Sequence, residues 1–199
     1  MNTKLHISKL SLIAICILSA SFARAEQEGK FTYSSAVTLT KYTGAGGSVT
    51  IPEKIAGVSV KVIDWEAFSK CIGLTEITIP SSVQEVGTRA FYTCTGLTKV
   101  SFLPGVKYIG DYAFQACTKL TEVSFPSSII SFGNMAFSEC KNLVSVTFEG
   151  NAPELSNDNA FYGAAPGFTI RYFKGASGFT TPEWKGYKTV EVAKIPKSK

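Results

Sequence analysis

One short motif, Ala-Phe-x-x-Cys, recurs at a fixed interval along this chain and constrains its fold more than any other feature. The motif begins at Ala67, Ala90, Ala113 and Ala136, so each copy follows the last after 23 residues. A period of roughly 20 to 29 residues is typical of a solenoid, in which each repeat forms one rung and buries its apolar side against its neighbours. The period therefore predicts an architecture, although it does not name a ligand.

Each repeat also contains a strand-like segment with apolar residues at its first, fourth and sixth positions. In one repeat this segment runs from Leu74 to Ile79, and its counterparts end at Phe102, Phe125 and Phe148. Because apolar and polar residues alternate over the second half, we expect a strand with one buried face. Successive repeats would stack these strands into a parallel sheet with about 4.8 Å between neighbours.

The Ala-Phe-x-x-Cys segment is predicted to lie on the opposite side of each rung as a single helical or 3₁₀ turn, with Phe and Cys pointing inward. A second apolar pair, such as Val83 and Val86, separates it from the strand. The glycines that follow this pair, at positions 87, 110 and 133, predict a tight bend. The motif phenylalanines are expected to form one continuous core column, which contains Phe68, Phe91, Phe114, Phe137 and Phe161.

The full repeat pattern is Leu-Thr-x-Ile-x-Ile-Pro-x-x-Val-x-x-Ile-Gly-x-x-Ala-Phe-x-x-Cys-x-x-Leu, found from Leu74 to Leu97 with Val86 in place of the Ile before the glycine. It resembles the BspA-type leucine-rich repeat of bacterial secreted and surface proteins. The resemblance covers roughly residues 49–161 and implies an extracellular, non-enzymatic interaction module, with some members implicated in adhesion. The expected fold class is thus a leucine-rich repeat solenoid of about five units of 23 residues, with a parallel sheet on one face and short helical or 3₁₀ turns on the other.

Residues 1–25 are typical of a cleaved secretory signal. Two lysines form a basic region, an apolar core follows over residues 10–20, and Ala23-Arg24-Ala25 supplies an A-x-A cleavage site. We therefore expect a secreted or cell-surface protein. No other stretch reaches the roughly 20 apolar residues of a membrane span, so no membrane insertion is expected after cleavage.

The remaining chain divides into three parts. Residues 26–57 carry short alternating patterns around a Gly-Ala-Gly-Gly segment and are predicted to form an N-terminal β cap. Residues 58–161 form the repeat array, and residues 162–199 are predicted to form a C-terminal cap with a short basic tail. Caps are expected because the terminal rungs would otherwise expose their open faces.

Charge and histidine content exclude several classes of function. Beyond the signal, 17 Lys and Arg residues stand against 15 Asp and Glu residues, so the chain lacks the basic stripe that nucleic-acid binding requires. The only histidine, His6, lies in the signal, which excludes His-based acid–base catalysis, His-activated nucleophiles and His-ligated metal. We therefore predict neither an enzyme nor a cofactor or metal site.

The four repeat cysteines, Cys71, Cys94, Cys117 and Cys140, allow two interpretations. An even number of cysteines in a secreted chain favours disulfides. However, all four fall at one position of the rung, so they should form a column whose parallel side chains keep their Cβ atoms about 4.8 Å apart, beyond the usual disulfide range. A straight column also cannot close a tetrahedron around zinc. Buried free thiols are therefore the favoured interpretation, with disulfides as the alternative.

Two combinations that resemble catalytic sites are explained better by the repeat. Ser138-x-x-Lys141 matches the Ser-x-x-Lys of penicillin-recognising enzymes, but Lys141 occupies a variable position and no Lys-Thr-Gly occurs. Glu76 and Glu122 are expected about 10 Å apart on strands two rungs apart, near the carboxylate spacing of inverting glycosidases. With Lys99 between them, a structural Glu-Lys-Glu column stabilised by cross-strand charge pairing is favoured.

The exposed side of the parallel sheet is the candidate partner-binding surface. Its small, mostly hydroxyl-bearing side chains on a rigid lattice suit an extended or curved partner, although a simply solvated sheet face has the same composition. The candidate residues on this face are Thr75, Glu76, Thr78, Thr98, Lys99, Ser101, Thr121, Glu122, Ser124, Ser145 and Thr147.

Tyrosines at variable positions are a second candidate. Tyr92, Tyr108 and Tyr112 could form a patch that contacts protein or sugar, and packing between rungs is the alternative.

Together these features predict a secreted, non-enzymatic recognition or adhesion module that binds an extracellular protein or glycan through its repeat surface. The alternative is a structural spacer or assembly element of a cell-surface protein layer. The protein is expected to be a monomer or to self-associate weakly.

Overall fold

Two eight-stranded sheets run along the computed structural model, which describes residues 26–34 and 38–193. No helix is present in this described part of the chain, and hence none that could cross a membrane. The predicted signal and the last residues of the basic tail lie outside it. The strands are β1 (Glu26–Glu28), β2 (Phe31–Ser34), β3 (Thr38–Tyr42), β4 (Gly47–Thr50), β5 (Lys54–Ile55), β6 (Val58–Ser59), β7 (Val62–Ile63), β8 (Leu74–Ile79), β9 (Glu85–Val86), β10 (Lys99–Phe102), β11 (Tyr108–Ile109), β12 (Glu122–Phe125), β13 (Ser131–Phe132), β14 (Ser145–Phe148), β15 (Glu154–Leu155), β16 (Thr169–Phe173), β17 (Glu183–Trp184) and β18 (Tyr187–Val192).

The front sheet, as we call the sheet ordered β17-β18-β16-β14-β12-β10-β8-β4, contains the strand predicted in each repeat. Seven of its strands run parallel, one from each rung, and only β17 is antiparallel to its neighbour. Ile77 pairs with Val100, and Val123 pairs with Val146, so the chain returns to the same register after 23 residues. The predicted parallel sheet is confirmed.

A second sheet, the back sheet, lies where the sequence predicts only a turn and a second apolar pair. Its strand order is β1-β2-β3-β7-β9-β11-β13-β15, and most of its repeat strands are two residues long. Glu85–Val86, for example, pairs in parallel with Tyr108–Ile109. The inward residue of each pair is buried, but two residues are too few to show the alternation by which a strand is recognised.

The Ala-Phe-x-x-Cys segments form consecutive β-turns, so the predicted helical or 3₁₀ turn is wrong. Bonds between residues i and i+3 are present, as from the Cys94 amide to the Phe91 carbonyl at 3.3 Å. Two residues in each segment, however, have φ values between 52° and 59°, whereas a right-handed helix needs about −60° at every residue. These left-handed residues form two columns across the rungs: Glu66, Arg89, Tyr112 and Met135, then Lys70, Thr93, Ala116 and Glu139.

The same segments join neighbouring rungs through their backbones. Alternate amides donate to a carbonyl of the next rung, as from Phe91 to Ala113 and from Phe114 to Ala136, both at 2.7 Å. The amides between them close turns within their own rung, as from Cys117 to Phe114. We call this set of bonds between turn segments the turn ladder, and its donors all point towards the C-terminal end.

The glycines at positions 87, 110 and 133 are required by close packing and not by the predicted tight bend. None of the three has a positive φ. A Cβ atom on Gly87 would lie 2.7 Å from the carbonyl oxygen of Ile63, and one on Gly110 would lie 2.8 Å from the nitrogen of Thr88. Adjacent rungs therefore approach too closely at this corner to admit a side chain.

The predicted phenylalanine column is confirmed as a continuous stack in the core. Ring centroids lie 4.8 Å apart from Phe68 to Phe91, from Phe91 to Phe114 and from Phe114 to Phe137. The step from Phe137 to Phe161 lengthens to 5.8 Å. All five rings are almost completely buried, and this arrangement joins the rungs on their inner side.

Aromatic side chains also close the two ends of the stack. The ring of Tyr42, on β3, lies 4.9 Å from that of Phe68. At the other end Tyr187 packs edge-on against Phe161 at 5.6 Å. Phe179 stacks on Tyr172 at 4.6 Å and contacts the buried Trp184, so the C-terminal segment covers the last rung.

Truncating the middle ring of the stack is expected to destabilise the whole array. Phe114 contacts rings on both sides, so Phe114→Ala leaves a cavity and should lower the free energy of unfolding by about 3–5 kcal/mol. Urea denaturation measures this loss. A loss below about 1 kcal/mol would show that the stack is not the core of the fold.

Relieving one left-handed residue is expected to separate two threonine substitutions of the same type. Thr93 has a φ of 57°, which glycine adopts without strain, whereas Thr95 has no positive φ. Thr93→Gly should therefore be more stable than Thr95→Gly by about 1–2 kcal/mol. Thermal melts of the two variants provide the comparison, and equal melting temperatures would contradict the assigned turn conformation.

Candidate functional site

The outward side chains of the front sheet form two columns that are fixed by strand register. The charged column contains Ser48, Glu76, Lys99, Glu122, Ser145, Thr169 and Lys188. The hydroxyl column contains Thr50, Thr78, Ser101, Ser124 and Thr147, and is continued by Arg171. Because neighbouring strands are about 4.8 Å apart, each column presents one side chain at that interval.

An open groove of about 550 Å³ crosses the middle of this face, and we call it the front groove. Glu149, at the end of β14, lies on its border together with buried strand residues. The groove brings together seven of the predicted residues, namely Thr98, Lys99, Ser101, Thr121, Glu122, Ser124 and Thr147. The other predicted residues of the face, Thr75, Glu76, Thr78 and Ser145, do not line it.

The charges of this face are not paired in the way that the sequence predicts. The carboxylate of Glu122 lies 3.8 Å from the guanidinium of Arg171. Lys99 has no ion pair within 4.0 Å among the described residues. The predicted charge pairing along Glu76, Lys99 and Glu122 is therefore wrong, because Arg171 reaches Glu122 from two strands away. The ammonium group of Lys99 remains available to a partner.

Ser145 has the predicted register but not the predicted exposure. It is only 2% exposed, and its hydroxyl donates to Glu122 Oε1 at 3.3 Å. It therefore orients Glu122 and is not itself a contact surface. The remaining predicted residues of the face are exposed or, for Thr78, Ser101 and Thr147, half-buried.

The three predicted tyrosines do not form one patch. Tyr92 and Tyr112 lie on the turn side, where the guanidinium carbon of Arg89 is 5.7 Å from one ring centre and 5.5 Å from the other. Arg89 also approaches Glu66 to 3.9 Å. Tyr108 lies on β11 of the back sheet and is exposed, with no ring contact in the described chain. The pair around Arg89 thus serves packing between rungs, which was the alternative interpretation.

Two charged residues of the front face were missed by the sequence reasoning. Arg171 lies on β16, beyond the last regular repeat, but the alternating pattern of that strand contained the necessary signal. Its buried neighbours Ile170 and Tyr172 identify Arg171 as outward-facing. Glu149 follows the last strand residue Phe148 and accepts a hydrogen bond from Ser124 at 3.4 Å, and no sequence signal indicated it.

All four repeat cysteines are free thiols, as the register argument predicts. Cys94, Cys117 and Cys140 are buried, and each donates its S–H to the carbonyl of the motif phenylalanine in the rung before, at 3.1, 3.3 and 3.2 Å. Burial raises the pKa of Cys94 to about 12 and raises that of Cys117 well above its ordinary value. Cys71, at the first rung, is half-buried, and the same cause raises its pKa.

The remaining chemical candidates do not form a reactive centre. Ser138 is completely buried, and its hydroxyl has no hydrogen-bond partner in the described chain, so a substrate cannot reach it. Among residues 26–34 and 38–193, no three His, Cys, Asp or Glu side chains are grouped so that they could hold a metal ion.

The stacked parallel strands, the 23-residue register and the buried phenylalanine column define a leucine-rich repeat solenoid. Residues 46–166 match the BspA type leucine rich repeat region in six copies. The chain therefore belongs to the BspA-type leucine-rich repeat family. No curated protein is significantly similar to it.

Several solved bacterial structures share this fold. A leucine-rich repeat protein from T. pallidum is 32% identical, with a TM-score of 0.62, and the match covers 67% of this chain and 62% of that one. A leucine-rich repeat protein from Bacteroides capillosus is 27% identical, with a TM-score of 0.55, over 63% of this chain and 99% of that one. A leucine-rich cell surface protein from Faecalibacterium prausnitzii is 24% identical, with a TM-score of 0.51, over 77% and 49%. The chain thus spans less than two thirds of the T. pallidum protein.

Alkylation in the native state is expected to separate Cys71 from the other three cysteines. At pH 8 the thiols of Cys94 and Cys117 stay protonated, because their pKa values lie above the ambient pH, and both are shielded from reagent. Iodoacetamide should therefore modify Cys71 first, as peptide mass spectrometry can measure. Equal rates at all four sites, or fewer than four thiols in denatured and unreduced protein, would contradict the assigned column.

Proposed function

We propose that this chain is a secreted or cell-surface recognition module that binds an extended segment of an extracellular protein through the front groove. The observation that carries this proposal is the convergence of seven sequence-predicted residues on one open groove of about 550 Å³. An extended segment fits because the groove crosses successive parallel strands and presents a side chain of each at every rung.

The charge pattern of the groove supports a polypeptide partner. Lys99 offers an unpaired ammonium, whereas Glu149 and the Glu122–Arg171 pair add groups of both signs within the same face. Complementary charges across an interface fix the register of a partner and exclude wrong ones. Small hydroxyl side chains between these charges let a backbone approach closely and lose little rotamer entropy on binding.

The location outside the cytoplasm is supported by the family and by the neighbours in structure. The F. prausnitzii protein with this fold is itself described as a leucine-rich cell surface protein. A cleaved signal at residues 1–25 is the expected route of export for this chain. Recognition without catalysis is consistent with a surface that carries hydroxyl and charged groups but, in the described chain, no cluster suited to metal or to His-assisted chemistry.

The proposal predicts that a charge-neutral front face loses its partner without losing its fold. Glutamine keeps the hydrogen-bond acceptor that Ser145 needs, so the test variant combines Glu76→Gln, Lys99→Gln and Glu122→Gln. Capture of extracellular proteins from the native environment by the immobilised variant should fall about tenfold or more, while its melting temperature stays within a few degrees of the parent.

A matched control removes the same charges from other faces. Glu85, Lys119 and Glu154 are exposed and lie away from the front groove, so changing these three to glutamine should leave capture unchanged. Equal loss in both variants would show a nonspecific charge effect. Retained capture by the front-face variant, or capture of glycans alone on an array, would overturn the proposed mode of binding.

A further inference from the structure

The turn ladder ends in an open hollow at the C-terminal end of the array. This end hollow has a volume of about 460 Å³ and lies where the last turn segment meets the β17–β18 hairpin. A further rung would occupy the same place. Tyr187 substitutes for part of that rung, because its hydroxyl accepts a hydrogen bond from the Phe161 amide at 3.2 Å and donates one to the Asp158 carbonyl at 2.8 Å.

The amide of Gly163 is the last forward-pointing donor of the turn ladder. At the equivalent position, Ala116 donates to the Ser138 carbonyl at 2.9 Å and Glu139 donates to the Tyr162 carbonyl at 2.7 Å. Gly163 has the same left-handed φ and lines the end hollow, yet its amide has no partner in the described chain. By the register of the ladder, this donor is directed towards an acceptor outside the array.

The lysines around the end hollow leave a positive excess. Lys185 pairs with Asp158 at 3.3 Å, so these two charges balance each other. Glu139 lies beside Gly163, but Lys141 approaches its carboxylate to 3.7 Å. Lys188 lines the hollow, is exposed and has no ion pair among the described residues. One ammonium group and one free amide are therefore available to an anion.

The shape of the end hollow favours a flat ligand. Its floor carries almost no side chains, because it consists largely of Gly163, Ala164, Ala165 and Gly167. At its border the side chain of Tyr162 is 61% exposed, although tyrosine rings elsewhere in the array pack against neighbours. An aromatic ring beside a smooth floor suits the apolar face of a sugar ring, whereas an apolar peptide side chain needs an enclosing pocket.

From these observations we propose that the end hollow binds a carboxylate-bearing sugar. The sugar ring packs against Tyr162, and its carboxylate accepts the hydrogen bond of the Gly163 amide and contacts the Lys188 ammonium. The end hollow shares no residue with the front groove, so this binding does not depend on the proposed function.

Titration of the isotope-labelled chain with 3′-sialyllactose, and separately with a disaccharide that ends in glucuronate, tests the proposal by NMR. Lactose serves as the neutral control and acetate as the bare carboxylate. We expect saturable shifts of the Gly163 amide with at least one acidic sugar, and affinity at least about tenfold above that for lactose or acetate. Added salt should weaken this binding.

Paired substitutions identify the contacts. Tyr162→Ala and Lys188→Gln should each reduce affinity about tenfold, while Tyr108→Ala and Lys174→Gln, at exposed positions elsewhere, should not change it. Far-UV circular dichroism checks that all four variants are folded. Absence of binding by both acidic sugars, equal affinity for lactose or acetate, or unchanged affinity in the Tyr162 and Lys188 variants would overturn the proposal.

Discussion

The backbone hydrogen bonds that join each rung to the next set the register on which the rest of the structure depends. In the turn ladder the Phe114 amide bonds to Ala136, and the front strands repeat the same offset. This offset places phenylalanine rings 4.8 Å apart, which is close to the strand spacing of about 4.8 Å, so rings and backbone stack together. The Cys117 thiol joins the same system by donating to the Phe91 carbonyl. Positions that set the register are therefore occupied by structural contacts.

Binding capacity is left to the positions that do not set the register. Outward residues of the front sheet vary from rung to rung, and this variation produces the mixed charges of the front groove. The end hollow has another origin, because it arises where the ladder stops and the Gly163 amide lacks a successor. One repeat geometry thus creates both a side surface that accommodates an extended partner and an end surface suited to a small ligand.

The sequence predicts the contacts that repeat and misses those that depend on local backbone conformation. The phenylalanine column and the parallel front sheet follow from the period and from alternation. A left-handed φ at residues such as Thr93 has no signal, because glycine, its usual marker, occupies that position only at Gly163. Likewise the Arg171–Glu122 pair and the burial of Ser145 depend on side chains from neighbouring rungs, which register alone does not orient.

Amide hydrogen exchange at one repeated position tests the register most directly. Lys70, Thr93, Ala116 and Glu139 each donate to the next rung, whereas Gly163 has the same backbone conformation without an acceptor in the described chain. NMR measurement in the native state should therefore show slow exchange at these four amides, slowest in the central rungs, and fast exchange at Gly163. Protection of Gly163 equal to that of Ala116, or fast exchange at all five positions, would contradict the account.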